Sequence, residues 1–339
     1  MPITIRDLAK KLNLSITTVS RALDGYSDVS ENTRTRVIQA AQGMGYAPSS
    51  AARQLRRRHA DAIGYILPTS SPRFSDPFYS DFLAGLCDEA AEHKIDLVVS
   101  SSPPDSDFEK IIYRRWFQSM RVDGIVLNRI RIQDWRIDYL SENKVPFVTL
   151  GRISSNQNSP YITVNERGGF ERLIAHLAEK GHTRIAYIGA FPNLMVHVER
   201  LAGYKQGLER SGLAYDEKMV IEGDLTEEGG YNAAKILFNR SVSPTAVIGC
   251  NDLTAIGVLK AAQELGFQVG KDLAVAGYDG IRETAFTSPP ITTLYQPTYE
   301  IAARLAAMLI SLAGGNTIEN PQVVLEPEMI LRSSTESCQ

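Results

Sequence analysis

The stretch TIRDLAKKLNLSITTVSRAL, residues 4–23, decides the fold of the N-terminal region, because it reads as two short helices joined by a tight turn. Thr4 followed by Asp7 has the form of a capping box at the start of the first helix. The apolar residues of that helix recur at helical spacing, at Ile5, Leu8, Ala9 and Leu12. Because Ala9 is small, a second helix can cross the first closely. The pattern predicts a helix-turn-helix.

The second helix of this unit has an inward and an outward face. Ser15 is placed to cap its N-terminus. The inward residues are Val19, Ala22 and Leu23, and the predicted outward residues are Ile16, Thr17, Ser20 and Arg21. Such side chains suit the major groove, because arginine can bind guanine through two hydrogen bonds and Thr or Ile methyls can meet the thymine methyl. The alternative is an ordinary helical hairpin with a solvated polar face.

A third helix and a basic connector follow. Ser30 is placed to cap the helix, which ends at residues 43–45, so three small helices share one core. The next segment, YAPSSAARQL over residues 46–55, precedes Arg56, Arg57 and Arg58. It is too short and polar to remain helical in isolation. We therefore expect it to become ordered on a partner.

These motifs together identify a resemblance. VSRAL at residues 19–23, followed by GYAPSSAARQL at 45–55, resembles the headpiece of the LacI/GalR (lactose-repressor) family over residues 1–58. The resemblance implies a recognition helix that contacts DNA through Ser15, Ile16, Thr17, Thr18, Ser20 and Arg21. It also implies a hinge helix with Ala52 and Leu55, in which the leucine enters the minor groove and kinks the duplex. The remaining expected DNA contacts are Thr4, Ser30, Thr33, Tyr46 and Ser49. Ser49 replaces the asparagine usual in the family, which affects one phosphate contact and not the leucine wedge.

The charge distribution supports a DNA-binding head. The 339 residues carry a net charge of -3, but residues 1–59 hold 10 Lys and Arg against 4 Asp and Glu, and the remainder holds 26 against 35. A basic head on an acidic body suits an anionic polymer bound at one end. The alternative is a solvated basic surface.

Composition and cysteine usage restrict the class of protein. Hydrophobic residues make up 43% and charged residues 22%, as in soluble globular proteins of two or three domains. Cys87, Cys250 and Cys338 show no close pair and no metal-ligand spacing, which indicates a reducing cytoplasm. The sequence shows no leader pattern and no run of transmembrane length. We expect a bacterial cytoplasmic protein associated with the nucleoid, with no membrane partner, metal site or cofactor.

From Ala62 onward, apolar strand runs alternate with amphipathic helices, which is typical of parallel sheets covered on both faces. The predicted strands include 62–67, 95–102, 123–128, 146–151, 161–165, 184–190, 219–223, 246–250, 273–279, 291–297 and 323–332. The expected fold class is an all-α helix-turn-helix headpiece followed by an α/β domain of two Rossmann-like lobes. The family resemblance implies that this domain is periplasmic-binding-protein-like.

The expected domains are a headpiece at 1–46, a hinge helix and linker at 47–60, and a two-lobed effector-binding and dimerisation domain at 61–339. Within the last, we assign about 61–160 plus 291–320 to the N-terminal lobe. The C-terminal lobe takes about 161–290 plus 321–339.

Ligands of open parallel sheets bind beyond the carboxyl ends of the strands. The candidates at such positions are Phe78, Tyr79, Arg152, Arg200, Asn251, Asp279 and Gln296. Their rings, guanidinium groups, carboxylate and amides suit a polyol with an apolar face. The alternative for Asn251 and Asp279 is a role as helix caps only.

The family resemblance extends to these positions through GHTRIAYIGA, ERLAGY, CNDLTAIGVL, VAGYDG and SPPITTLYQP. It implies that Arg200, Asn251 and Asp279 contact an effector. Gly151 stands where some members have an effector-binding aspartate, and Arg152 is expected to replace that contact.

No phosphate loop, dinucleotide fingerprint or hydrolase motif is present, so we expect no catalytic residues and no enzyme activity. The favoured function is a sequence-specific transcriptional regulator, a repressor. It would bind a pseudo-palindromic double-stranded operator as a homodimer and respond to a small sugar or related metabolite. The alternative is a cytoplasmic sugar-binding or sugar-processing protein with a vestigial head.

Overall fold

The computed structural model describes residues 3–46, 59–69, 76–153 and 159–336. The chain divides into two compact units, residues 1–60 and 61–339. Each has its own buried apolar residues. The predicted hinge contacts Ser49, Ala52 and Leu55 lie outside the described residues.

The first unit contains three short helices, and the predicted caps are confirmed. They are α1 (Ile5–Leu12), α2 (Ile16–Leu23) and α3 (Glu31–Met44). The capping box is present, since the Thr4 amide donates to Asp7 Oδ2 at 2.9 Å and the Asp7 amide donates to Thr4 Oγ1 at 3.4 Å. Ser15 and Ser30 cap α2 and α3, and Gly45 ends α3 in the left-handed conformation. The shared core consists of Leu8, Ala9, Val19, Ala22, Val29, Val37 and Ala41.

The second unit alternates strands with helices. Its strands are β1 (Ala62–Pro68), β2 (Asp96–Ser102), β3 (Gly124–Leu127), β4 (Phe147–Leu150), β5 (Tyr161–Val164), β6 (Ile185–Ile188), β7 (Val220–Ile221), β8 (Ala246–Gly249), β9 (Ala274–Asp279), β10 (Thr292–Tyr295), β11 (Gln322–Leu325) and β12 (Glu328–Ile330). Its helices are α4 (Pro77–Glu92), α5 (Asp107–Gln118), α6 (Trp135–Glu142), α7 (Glu166–Glu179), α8 (Met195–Arg210), α9 (Glu227–Phe238), α10 (Asp252–Glu264) and α11 (Thr298–Ala313).

These strands form two sheets, one in each lobe. The first has the order β11-β5-β4-β3-β1-β2, and the second has the order β12-β10-β9-β8-β6-β7. Among the described strands, β12 is the one that runs antiparallel to its neighbour, β10. The inner strands are almost wholly buried, as expected for parallel sheets covered by helices.

The predicted lobe boundaries are wrong at three strands. β5 pairs with β4, with Tyr161 opposite Thr149, so it belongs to the first lobe. β10 pairs with β9, with Thr292 opposite Ala276, so it belongs to the second lobe. β11 pairs with β5 in the first lobe. The alternation of strands and helices indicates that strands exist, but the sheet that each joins depends on contacts distant in sequence.

The predicted closing strand at 323–332 is two strands. Glu326 and Pro327 separate β11 from β12, and the two belong to different sheets. Proline has no amide hydrogen and cannot donate to a ladder, which favours a break there. The chain therefore crosses between the lobes three times, after β5, β10 and β11.

Helix α11 belongs with the first lobe although it follows a strand of the second. It packs on α4, where Gly85 permits close approach: a Cβ atom at this position would lie 2.2 Å from the Tyr299 carbonyl oxygen. This packing attaches the end of the second sheet to the body of the first lobe. It places Gln296, between β10 and α11, at the junction.

Candidate functional site

Five of the predicted DNA contacts in the head lie at helix N-termini. Thr4, Ser15 and Ser30 are N-cap residues, and the hydroxyls of Thr18 and Thr33 lie 2.8 and 2.9 Å from those of Ser15 and Ser30. The amide groups of a helix N-terminus attract phosphate. Tyr46 is half-buried against the head core, and its amide donates to the Ala41 carbonyl at 2.9 Å.

The second helix presents a narrower outward face than expected. Ile16 and Thr17 are exposed, as predicted. Ser20 is buried, with 9% of its surface exposed, so its prediction as an outward-facing residue is wrong. Its short side chain directly follows Val19 and lies at the edge of the helix's buried stripe.

Arg21 is partly exposed and is held by contacts within the head. Its guanidinium forms an ion pair with Asp28, with Nη2 2.6 Å from Oδ2. It also lies over the Tyr26 ring, 4.9 Å from the centroid. Because about half of each ionic side chain is solvated, this pair contributes little to stability. The guanidinium can exchange Asp28 for a base or phosphate at small cost.

The second unit contains a cavity of about 330 Å³ at the carboxyl ends of the strands of both sheets. All seven residues predicted for effector binding line it, namely Phe78, Tyr79, Arg152, Arg200, Asn251, Asp279 and Gln296. Pockets for small ligands commonly measure from about 300 to 1,000 Å³. The structure thus brings residues separated by more than 200 positions to one cavity.

Aromatic rings form part of the first-lobe wall. Asp76 caps α4 by accepting from the Phe78 amide through Oδ1 at 3.0 Å and from the Tyr79 amide through its carbonyl at 3.1 Å. The rings of Phe78 and Tyr79 meet edge to face, with centroids 5.2 Å apart. The Arg129 guanidinium lies 5.5 Å from the Tyr79 centroid. Arg152 is exposed at the end of β4. The wall offers an apolar face with cationic groups beside it.

Arg200 is the central group of the second-lobe wall. It lies in α8, is 4% exposed, and donates to the Cys250 carbonyl and to Glu166 Oε1, the latter at 3.1 Å. Its guanidinium also stacks 3.7 Å from the Tyr278 ring centroid. Its Nε has no hydrogen-bond partner within the described residues. A buried donor of this kind can be satisfied by a ligand.

Asp279 and Gln296 form a hydrogen-bonded pair on the same wall. Gln296 Nε2 donates to Asp279 Oδ1 at 2.7 Å, and Arg200 Nη2 lies 3.8 Å from the same oxygen. Burial raises the pKa of Asp279 well above its usual range, although Arg200 acts in the opposite direction.

Asn251 and Asp279 differ in their local roles. Asn251 caps α10, since its Oδ1 accepts from the Thr254 amide at 3.0 Å, and its Nδ2 donates to the Leu225 carbonyl at 3.1 Å. It therefore does what the capping alternative expected while also lining the cavity. Asp279 ends β9 and caps no helix.

The sequence interpretation missed several cavity residues that also follow strands. Asn128 and Arg129 come directly after β3, and Asn165 and Glu166 come directly after β5. The signal that identified the other candidates was present at these positions too. Glu166 was the hardest to find, because its importance lies in its contact with Arg200, 34 residues away.

A short backbone bridge joins the lobes beside the cavity. The Ile132 amide donates to the Asn193 carbonyl at 2.9 Å, and the Met195 amide donates to the Ile130 carbonyl at 2.8 Å. Ile130 and Met195 both line the cavity. The bridge therefore links the separation of the lobes to the cavity wall.

Comparisons with known proteins match both units of this chain. The family model described as bacterial regulatory proteins, lacI family, matches residues 4–49, and a periplasmic binding protein-like domain matches residues 174–335. The HTH-type transcriptional regulator AglR of Rhizobium meliloti is 34% identical over 99% of this chain and 95% of its own length.

Two solved structures are similar over nearly the whole chain. A complex of the transcriptional regulator CelR with cellobiose has a TM-score of 0.76 and 29% identity, and covers 98% of this chain and 99% of its own. The lac repressor dimer bound to operator and the anti-inducer ONPF has a TM-score of 0.85 and 26% identity, with coverage of 99% and 100%. The match of both units, together with the AglR alignment, shows that this chain belongs to the LacI family of transcriptional regulators.

Proposed function

We propose that this protein is a repressor whose affinity for a DNA operator is set by a small sugar or related metabolite bound between its lobes. The observation that carries the proposal is the cavity wall. Aromatic rings stand on one side, and a buried guanidinium, a carboxyl and amides stand on the other. This combination can stack on the apolar face of a sugar ring and hydrogen-bond its hydroxyls.

Three features support a sugar as effector. The cavity volume suits one small metabolite. Arg200 lines the cavity, and its Nε has no hydrogen-bond partner within the described residues. One structural relative is a complex with cellobiose. The effector-contacting residues proposed are those predicted from the sequence, Phe78, Tyr79, Arg152, Arg200, Asn251, Asp279 and Gln296.

The head supports a double-stranded operator as partner. The exposed Ile16 and Thr17 and the partly exposed Arg21 form the reading surface on α2, and the capped helix N-termini suit phosphates. A homodimer would place two heads on the half-sites of a pseudo-palindromic operator. The lac repressor structure that this chain resembles is a dimer bound to operator.

Control of DNA binding requires two arrangements of the lobes. The bridge between residues 130–132 and 193–195 holds the cavity in one of them. The effector shifts the balance only if it binds one arrangement more tightly. We propose that lobe closure around the sugar changes whether the hinge segments of two protomers can pair on DNA.

We further propose that the protein acts without catalysis, in the bacterial cytoplasm and on the nucleoid. Within the described residues, no helix is long and apolar enough to cross a membrane. The relatives reported above are transcriptional regulators, and they align with this chain over nearly their whole length. They lend no support to a sugar-processing protein with a vestigial head.

Two experiments test the proposal. In the first, a thermal-shift screen compares sugars, sugar phosphates and nucleobases. A sugar at a hundred times its Kd should stabilise the protein by about 2.7 kcal/mol. In the second, a labelled operator-like duplex is titrated at two salt concentrations, and we expect a steep salt dependence with strong preference over scrambled DNA. If no sugar stabilises the protein, the proposal of a sugar effector is contradicted. If the protein binds scrambled DNA as tightly as the operator-like duplex, the proposal of a specific operator is contradicted.

A further inference from the structure

Asp252 is a buried acid that lies behind the cavity wall. Asp252 is 0% exposed. It is the first residue of α10 and directly follows Asn251. It is not among the residues that line the cavity. It also forms no ion pair within the described part of the chain. The charge of Arg332 lowers its pKa without a direct ion pair, so the buried carboxylate needs strong hydrogen-bond donors.

The donors lie in the turn after β9 and in β10, close in sequence to the cavity residues Asp279 and Gln296. Asp252 Oδ2 accepts from the amides of Gly280 and Ile281, at 2.7 and 2.8 Å. Its Oδ1 accepts from the hydroxyl of Thr293 at 2.7 Å. One carboxylate thus joins the start of α10, the turn after β9 and the middle of β10.

The turn that Asp252 holds begins at a strained residue. Asp279 has a φ of +113°, a conformation that residues with a Cβ rarely adopt. The next two amides are the ones that donate to Asp252. Such a conformation persists only when surrounding contacts enforce it. Asp252 supplies two of these contacts.

The backbone around Asp252 is shaped to admit its carboxylate. A Cβ atom at Gly277, on β9, would lie 2.1 Å from Asp252 Oδ1. A residue larger than glycine would therefore displace the carboxylate. Burial raises the pKa of Asp252 to about 7, while the hydrogen bonds from Thr293, Ile281 and Gly280 oppose that rise. Burying the Asp252 carboxylate costs free energy, and its hydrogen bonds fix the geometry of the turn at residues 279–281.

We propose that Asp252 is a positioning residue for the effector cavity, which holds Asp279 and Gln296 in their binding orientation without touching the effector. It acts through the turn at residues 279–281 and through Thr293, which lies three residues before Gln296. The inference rests on the proposed effector function. A simpler role for an acid at this position is to stabilise the N-terminus of α10.

The first test needs no effector. In full-length Asp252→Asn, hydrogen exchange followed by mass spectrometry should show exchange at least tenfold faster in a peptide containing the amides of residues 280 and 281. A peptide from β8 should be unchanged and serves as the internal control. Unchanged exchange in the 279–281 turn would overturn the proposal, because it would show that the turn is held by other contacts.

The second test uses cellobiose and glucose as probes in calorimetric titrations. Asp252→Asn should weaken binding at least tenfold while effector-free operator affinity stays within about threefold of the original. Val275→Ala is the matched control: it removes buried volume from β9, and Val275 is 0% exposed and does not line the cavity. It should lower the Tm and keep the sugar affinity.

An equal loss of sugar affinity in Val275→Ala would overturn the positioning role, since general destabilisation would then explain both variants. Thr293→Val, which removes the hydroxyl on the other side of the carboxylate, should reproduce part of the Asp252→Asn effect. Failure of both sugars to bind the unsubstituted protein counts against the sugar effector. The exchange measurement still decides the role of Asp252 in that case.

Discussion

The two lobes each contain a cluster of buried arginine and carboxylate groups, and the clusters differ in whether their arginines line the cavity. In the first lobe, Arg136 donates through Nε and Nη2 to Asp134 at 2.8 and 2.7 Å, and Arg131 Nη2 donates to both oxygens of Glu109 at 3.1 and 3.0 Å. In the second lobe, Arg200 lines the cavity, whereas Arg131 and Arg136 do not.

The difference separates structural from binding roles. Arg136 also donates to the carbonyls of Asn128 and Arg129, so it fixes the backbone after β3. Its charge is matched within the protein. Burial acts to lower the pKa of Arg136, but the hydrogen bonds and charge of Asp134 outweigh burial and raise the pKa above its usual value, so the group stays charged. Arg200 instead lies on the cavity wall, which is the position expected of a residue that binds a ligand.

Glu109→Gln should have the largest effect on stability. It removes the charge that faces Arg131 in a buried site, and breaking such a pair costs about 3–5 kcal/mol. Chemical denaturation should show this loss. Asp107→Asn on the same helix is the control, because Asp107 is 94% exposed and its pair with Lys110 contributes below about 1 kcal/mol. If Glu109→Gln and Asp107→Asn are equally stable, the claim that the first-lobe cluster stabilises the fold is contradicted.

Arg200→Ala should abolish the response to effector. We expect at least a hundredfold weaker sugar binding, which is about 2.8 kcal/mol, with operator affinity near normal. Arg210→Ala on the same helix is the control, since its side chain is 72% exposed. Retained induction in Arg200→Ala would exclude this residue from the site.

Arg21→Ala extends the comparison to an arginine whose ion pair is exposed. It should cost about 1–3 kcal/mol in operator affinity and relax specificity at one base pair in each half-site. Stability should change little because Arg21 and Asp28 are solvated. Binding measured on a set of single-base operator variants checks this, and an equal loss on every duplex would show that Arg21 contacts only phosphate.

Arg152→Ala should have the smallest effect. The residue is exposed at the cavity wall and follows β4, so its contribution to sugar affinity should be a fewfold change, below about 1 kcal/mol. Titration of the same sugar as for Arg200→Ala measures it. A loss as large as that of Arg200→Ala would show that the two arginines bind the effector equally.

Features set by neighbours in sequence were predicted, and features set by distant contacts were not. The caps at Thr4, Ser15 and Ser30 depend on three-residue spacings that the sequence displays. Whether β5 and β10 join one sheet or the other depends on pairings between strands, which a local pattern does not contain. Periodicity also placed Ser20 on the outer face, whereas the packing of three helices buries it.

The same limit applies to the cavity. Residues that follow strands were identified because parallel strands end at one edge of their sheet. The groups that fix them were not, because Glu166 and Asp252 act through contacts with distant segments. A strand-end position indicates where a side chain lies and gives no information about which partners hold it.

The most direct test of the central claim measures operator affinity of the full-length protein with and without a saturating concentration of the sugar found in the thermal-shift screen. We predict at least a tenfold change in operator Kd, which Arg200→Ala removes. A sugar that binds with the expected dependence on Arg200 and leaves operator affinity unchanged would contradict the coupling between cavity and DNA.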